Sequence, residues 1–172
     1  MKFTKLCLFL ASIGTLVTSS YSSALAANAQ NNLTVTASVA ANCTITAGTL
    51  AFGVYDPIVA NATTPLDGSG TFTITCTAGT TTALGLDQGL HYANGTNNMV
   101  GGNQASSLKY GLFRTGPGVG PWGNSDPNRL TTAAQIDNNA QTITVYGRIP
   151  AGQVVSSGLP GYSDTVVATV NF

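Results

Sequence analysis

Short runs in which apolar residues alternate with threonine or serine recur along this chain, and almost no stretch sustains a helical period. Leu33, Val35, Ala37 and Val39 alternate with Thr34, Thr36 and Ser38, and Thr71-Phe-Thr-Ile-Thr-Cys76 puts Phe72, Ile74 and Cys76 on one face. A period of two is the side-chain repeat of an extended strand with one buried face. Further strands are expected at Thr44–Thr46, Thr49–Phe52, Thr82–Leu86, Ser107–Arg114, Gln141–Ile149 and the terminal run Tyr162–Phe172. Turn chemistry separates them: Asp67-Gly-Ser-Gly70, Asn94-Gly95, Gly101-Gly-Asn103, Gly116-Pro-Gly118 and Asn124-Ser-Asp-Pro127. Ala133–Asn139 is the stretch that could form a helical turn. Many short strands at this spacing predict an all-β, antiparallel β-sandwich. No internal repeat or linker divides it.

The terminal run is unusual in its ending. Val166, Ala168, Val170 and Phe172 share a face and the written chain stops on Phe172. An apolar strand must be covered by neighbours or it becomes a template for another chain. Two readings stand: the last core strand of a sandwich, or a strand made for intermolecular assembly. The first alternation poses the same choice, because residues 33–39 either open a self-contained sandwich or leave it.

The N-terminus reads as an export signal. Met1-Lys-Phe-Thr-Lys5 is positive, Leu6–Val17 is mostly apolar, and Ala24-Leu-Ala26 supplies small residues at a cleavage site, with Ala27 a near alternative. The apolar run is too short and broken to span a bilayer. Residues 1–26 are expected to be removed, leaving 27–172 as one domain. Cys7 leaves with the signal, so Cys43 and Cys76 remain as a pair in an oxidising compartment and are expected to form a disulfide. Closing a loop of roughly thirty residues is worth about 3–4 kcal/mol in the chain-entropy view.

Charge excludes several function classes. After cleavage Lys109, Arg114, Arg129 and Arg148 face Asp56, Asp67, Asp87, Asp126, Asp137 and Asp164, with no glutamate. Nucleic-acid binding and polybasic membrane contact both need clustered cations. A surface of hydroxyls and amides repels identical copies weakly, which suits dense packing. Catalytic chemistry is thin: His91 is the single histidine, lies in a Gly/Asn-rich stretch and lacks a nucleophile-elbow sequence, so it reads as a surface side chain. The aspartates sit in turn contexts, and no metal, phosphate or cofactor pattern appears. Tyr92, Tyr110 and Trp122 suit core or loop packing better than sugar stacking. The expectation is no enzyme, no cofactor and no metal.

Cys43-Thr-Ile, Leu50-Ala-Phe-Gly-Val-Tyr-Asp-Pro57, Phe72-Thr-Ile-Thr-Cys-Thr77, Leu108-Lys-Tyr-Gly-Leu-Phe-Arg114, Pro121-Trp-Gly123, Val145-Tyr-Gly-Arg-Ile-Pro150 and Gly161-Tyr-Ser-Asp-Thr-Val166 follow one another in this order. Across essentially the whole of residues 27–172 this resembles the spore coat protein U domain family, which includes subunits of archaic chaperone–usher pili of the Csu type. Thr115 departs from the pattern, where an acidic residue is expected in many relatives. The resemblance implies an incomplete immunoglobulin-like sandwich completed by donor-strand exchange. It implies a donor within residues 27–39, inserting Leu33, Val35, Ala37 and Val39. It places Val166, Ala168, Val170 and Phe172 at the groove and in contact with a chaperone. The implied partners are identical or related subunits, a periplasmic chaperone and an outer-membrane usher. The implied route runs through the periplasm of a Gram-negative cell to a surface fibre or coat, supporting adhesion or biofilm formation. A coat protein that forms no pili, and a secreted carbohydrate-binding module, are the alternatives.

Overall fold

The computed structural model describes residues 28–46, 48–101, 106–157 and 161–172; the expected signal, 1–26, lies outside them. The chain divides into two units, Met1–Ala37 and Ser38–Phe172. In the first unit, residues 28–37 carry neither helix nor strand and their side chains are exposed. Alternation there is a capacity to pair, and a strand is realised only where an edge accepts it.

The second unit holds ten strands among the described residues: β1 Cys43–Thr46, β2 Leu66–Cys76, β3 Ala83–Leu86, β4 Asn97–Gly101, β5 Ser107–Gly116, β6 Val119–Pro121, β7 Leu130–Thr131, β8 Gln141–Ile149, β9 Tyr162–Ser163 and β10 Ala168–Asn171. One sheet runs β1-β2-β8-β5-β4-β9, with β6 also paired to β5; the other runs β10-β3-β7. Every ladder among them is antiparallel. The fold is an all-β, immunoglobulin-like sandwich.

The period-two runs decide which faces meet. Phe72, Ile74 and Cys76 of β2, Leu108, Tyr110 and Leu112 of β5, and Ile143, Val145 and Ile149 of β8 are buried with Leu84, Leu86 and Trp122. The intervening Thr71, Thr73, Thr142 and Thr144 point the other way, paired across the β2–β8 ladder. Trp122 donates its Nε1–H to the Leu84 carbonyl at 2.9 Å, so a large ring is buried without orphaning its donor. Cys43 and Cys76 are opposite each other in the β1–β2 register and joined by a disulfide.

Several local expectations are overturned. Asp67-Gly-Ser-Gly70 is no turn but the first half of β2, because Asp67 pairs with Arg148 across the ladder and the glycines face inward. The Thr49–Phe52 run is no regular strand: Leu50 makes one isolated bridge, to Gly70. The terminal run is two strands, β9 on the first sheet and β10 on the second, with residues 164–167 passing between them. Residues 133–139 form no helical turn; 136–139 are bends. Strands β4 and β6, rich in Asn, Gly and Pro, and the two-residue β7 carry too little alternation to be read in advance. At the departure noted above, Thr115 Oγ1 donates to the Val119 carbonyl, and Arg114 finds backbone carbonyls at Pro127 and Arg129.

Candidate functional site

Two features of the second unit coincide. Strand β10 pairs on one side only, with β3, so its other edge presents unpaired backbone groups among the described residues. Along that part of the sandwich runs a mostly apolar cleft of about 500 Å³. Its floor is the inner face of the larger sheet, with Phe72, Tyr110, Leu112 and Val145.

One wall is the segment Gly48–Phe52. It lies close on the sheet because the strand positions beneath it are glycine. A Cβ on Gly70 would run into the backbone of Thr49 and Leu50, and one on Gly147 would meet the Phe52 ring. The overlooked signal for this wall was the set of inward-facing glycines in a pattern that otherwise alternates apolar and polar residues.

The other wall is the terminal segment. Val166 and Ala168 line the cleft, Val170 packs against the core, and Phe172 is 58 % exposed. Of the four residues expected at a groove, two line it directly. Of those expected to insert, Leu33 is 88 % exposed, and Val35 and Val39 are similarly bare; none of the four lies in a strand.

One end of the cleft is polar: Asp164 lines it and holds His91, whose side chain stays 33 % exposed. The Asp164 side chain is 2 % exposed. Its Oδ1 lies 2.8 Å from His91 Nδ1 and accepts the His91 backbone N–H, and its Oδ2 accepts the Tyr110 hydroxyl at 2.6 Å. Burial first, then the adjacent Asp164 carboxylate, push the Tyr110 hydroxyl well above its ordinary value, so it stays a donor. Gly89 has φ +73° and its missing Cβ leaves room for the Asp164 carboxylate. Asp87 completes the fastening: its Oδ1 accepts the N–H groups of Gly89 and Val167. Backbone bonds run from Leu90 to Thr165 and from Asp87 to Val167. The loop 87–91 is thus laced to the segment where the chain crosses between sheets. Both Asp164 oxygens are engaged, which makes this cluster an anchor and not an acid–base pair with free valences.

Sequence and structure comparisons bear on this arrangement. The model of the spore coat protein U domain matches residues 29–169. Protein U of Myxococcus xanthus is 38 % identical, over 88 % of this chain and 89 % of that protein. Among solved structures, a chain of the CsuC–CsuE chaperone–tip adhesion subunit pre-assembly complex, from archaic chaperone–usher Csu pili of Acinetobacter baumannii, matches with a TM-score of 0.53 at 25 % identity. The match covers 78 % of this chain and 40 % of the solved one, so this chain spans well under half of that chain's length.

Proposed function

This chain belongs to the spore coat protein U domain family, a structural and non-enzymatic one, and on that premise we propose that it is an exported subunit of a surface fibre assembled by donor-strand exchange. The observation that carries the reading is the one-sided pairing of β10 beside an apolar cleft. Leu33, Val35, Ala37 and Val39 of one copy enter the cleft of the next, while the donor backbone pairs with the open edge of β10. Main-chain bonds supply affinity and alternate side chains supply register. Burying a Leu or Val side chain is worth about 1.5–3 kcal/mol. A head-to-tail contact of this kind does not close on itself and so builds a fibre.

Before assembly the same edge is held by a periplasmic chaperone, and an outer-membrane usher passes the subunit outward. The likeness to a chain of a chaperone–tip adhesion subunit complex supports the subunit and chaperone partners, and the family supports a surface or extracellular location. The fibre serves adhesion or biofilm formation. Deleting residues 27–39 tests the assignment: chaperone-bound monomer is expected to persist while polymer disappears. Fibres formed by the truncated chain would refute it. Soluble oligomers or amorphous coat material in place of fibres would return the chain to a coat role, and glycan-array binding by monomer to a carbohydrate-binding one.

A further inference from the structure

The chain contains a single Asn-Gly pair, Asn94-Gly95, and the fold holds it in a hairpin of its own. Ala93 and Thr96 face each other as an antiparallel bridge, each donating its N–H to the other's carbonyl, at 3.0 and 3.1 Å. Asn94 has φ +51° and Gly95 φ +78°, the two positive values of a two-residue type I′ turn. Among the described residues Asn94 is the only one other than glycine with positive φ. Both turn residues are exposed. Asn98, 5 % exposed, braces the turn: its Nδ2 is shared among the carbonyls of His91, Ala93 and Thr96.

Asparagine followed by glycine is the pair in which backbone most readily attacks side chain, because glycine sets no Cβ beside the attacking nitrogen. The Gly95 nitrogen loses its proton and bonds to Asn94 Cγ. The Cγ–Nδ2 bond breaks, and the side-chain nitrogen takes up a proton and leaves as ammonia. A succinimide ring remains, and water opens it at one of its two carbonyls. Opening at Cγ gives aspartate; opening at the main-chain carbon gives isoaspartate, whose backbone is longer by one methylene.

Ring closure needs the Gly95 nitrogen eclipsed with Asn94 Cβ about the Cα–C bond. In the left-handed conformation, with ψ about +47°, that nitrogen lies nearly opposite Cβ instead. The hairpin therefore withholds the nucleophile although both residues are bare to water.

We propose that Asn94 is a self-modification site, a deamidation gated by its own hairpin: copies in which the hairpin opens react, and closed copies are spared. Openings of this kind cost less than global unfolding. The mark is one-way. Aspartate tolerates the left-handed conformation as asparagine does, so an aspartyl copy recloses. An isoaspartyl copy carries an extra main-chain carbon in a turn built for two residues, so Ala93 and Thr96 fall out of register. The loop 87–91, joined to this hairpin through Asn98 and to the terminal segment through Asp164, loses that support.

The test incubates the full chain in mildly alkaline buffer, folded or in urea with its disulfide intact. The peptide carrying Asn94 is followed by mass spectrometry and by enzymatic methylation of isoaspartate. Reaction through an opened state is scaled by the open population, so the folded chain is expected to deamidate at least about tenfold more slowly than the chain in urea. Asn98→Ala is expected to speed the reaction of the folded chain and leave the rate in urea unchanged. Should that variant fail to fold, Thr96→Val replaces it, removing the Thr96 Oγ1 bond to the Ala93 carbonyl at 3.2 Å, with a smaller rise expected. Equal rates in the folded and unfolded chain would overturn the gate, and an unreactive Asn94 in urea would overturn the site. A folded variant that reacts no faster than the parent would overturn the hairpin as the lock.

Discussion

Asp164 concentrates more structure than any other single polar side chain of the cleft. Its carboxylate is almost sealed from water and takes hydrogens from Tyr110 and from His91 twice. Removing it leaves the Tyr110 hydroxyl without the carboxylate it donates to, a penalty of about 1–3 kcal/mol. Asp164→Ala is therefore expected to lose about that much in urea unfolding, with Asp164→Asn losing less because an amide oxygen still accepts from Tyr110. Equal losses for the two variants would show that the hydrogen bonds are immaterial. Asp67 gives a second prediction at this scale. The Arg148 guanidinium, bound through both its Nε and Nη2, holds the Asp67 carboxyl below its ordinary value. A carboxyl so lowered stabilises the fold above the ordinary carboxylate pKa, about 3.9, and that contribution is lost as pH falls through the folded value. Asp67→Asn should thus be less stable than the parent at neutral pH, with the gap closing in acid. The effect is small, because both side chains are substantially exposed.

At the scale of elements, the segment Gly48–Phe52 shows how a strand-like sequence becomes a wall. Its Leu50 and Phe52 rest where β2 and β8 present Gly70 and Gly147. Overpacking a fitted interior costs typically about 1–3 kcal/mol, and the cost depends on what must move. Gly70→Ala drives a methyl into backbone, so it is expected in that range and to shift the wall. Gly147→Ala meets side-chain tips of Phe52 and Leu50, which can turn aside, and should cost less. Unfolding midpoints at constant m-value give the ranking, and the reverse order would contradict this account of the wall. The terminal element divides for a related reason. The loop 87–91 captures residues 164–167 through Asp87 and Asp164, so one apolar run serves two sheets.

For the whole molecule, a peptide of residues 28–40 added to a chain lacking them should raise its Tm, by about 2.7 kcal/mol of stability at a hundredfold excess over Kd. A peptide with Val35→Lys should not. A null result with both would remove the cleft from the assembly mechanism. The all-β class, the inward faces of β2, β5 and β8, and the pairing partners Cys43 and Cys76 were legible in the sequence, because alternation and composition are local properties. The cluster around Asp164 was not, since His91, Tyr110 and Asp164 are far apart along the chain. Nor were the glycines of Asp67-Gly-Ser-Gly70, which look like a turn until Arg148 lies opposite Asp67. Period two says that a strand has a buried face and is silent about what lies at its edge. That depends on contacts distant in sequence, and so the tertiary structure alone decided that β10 pairs on one side and that a cleft runs beside it.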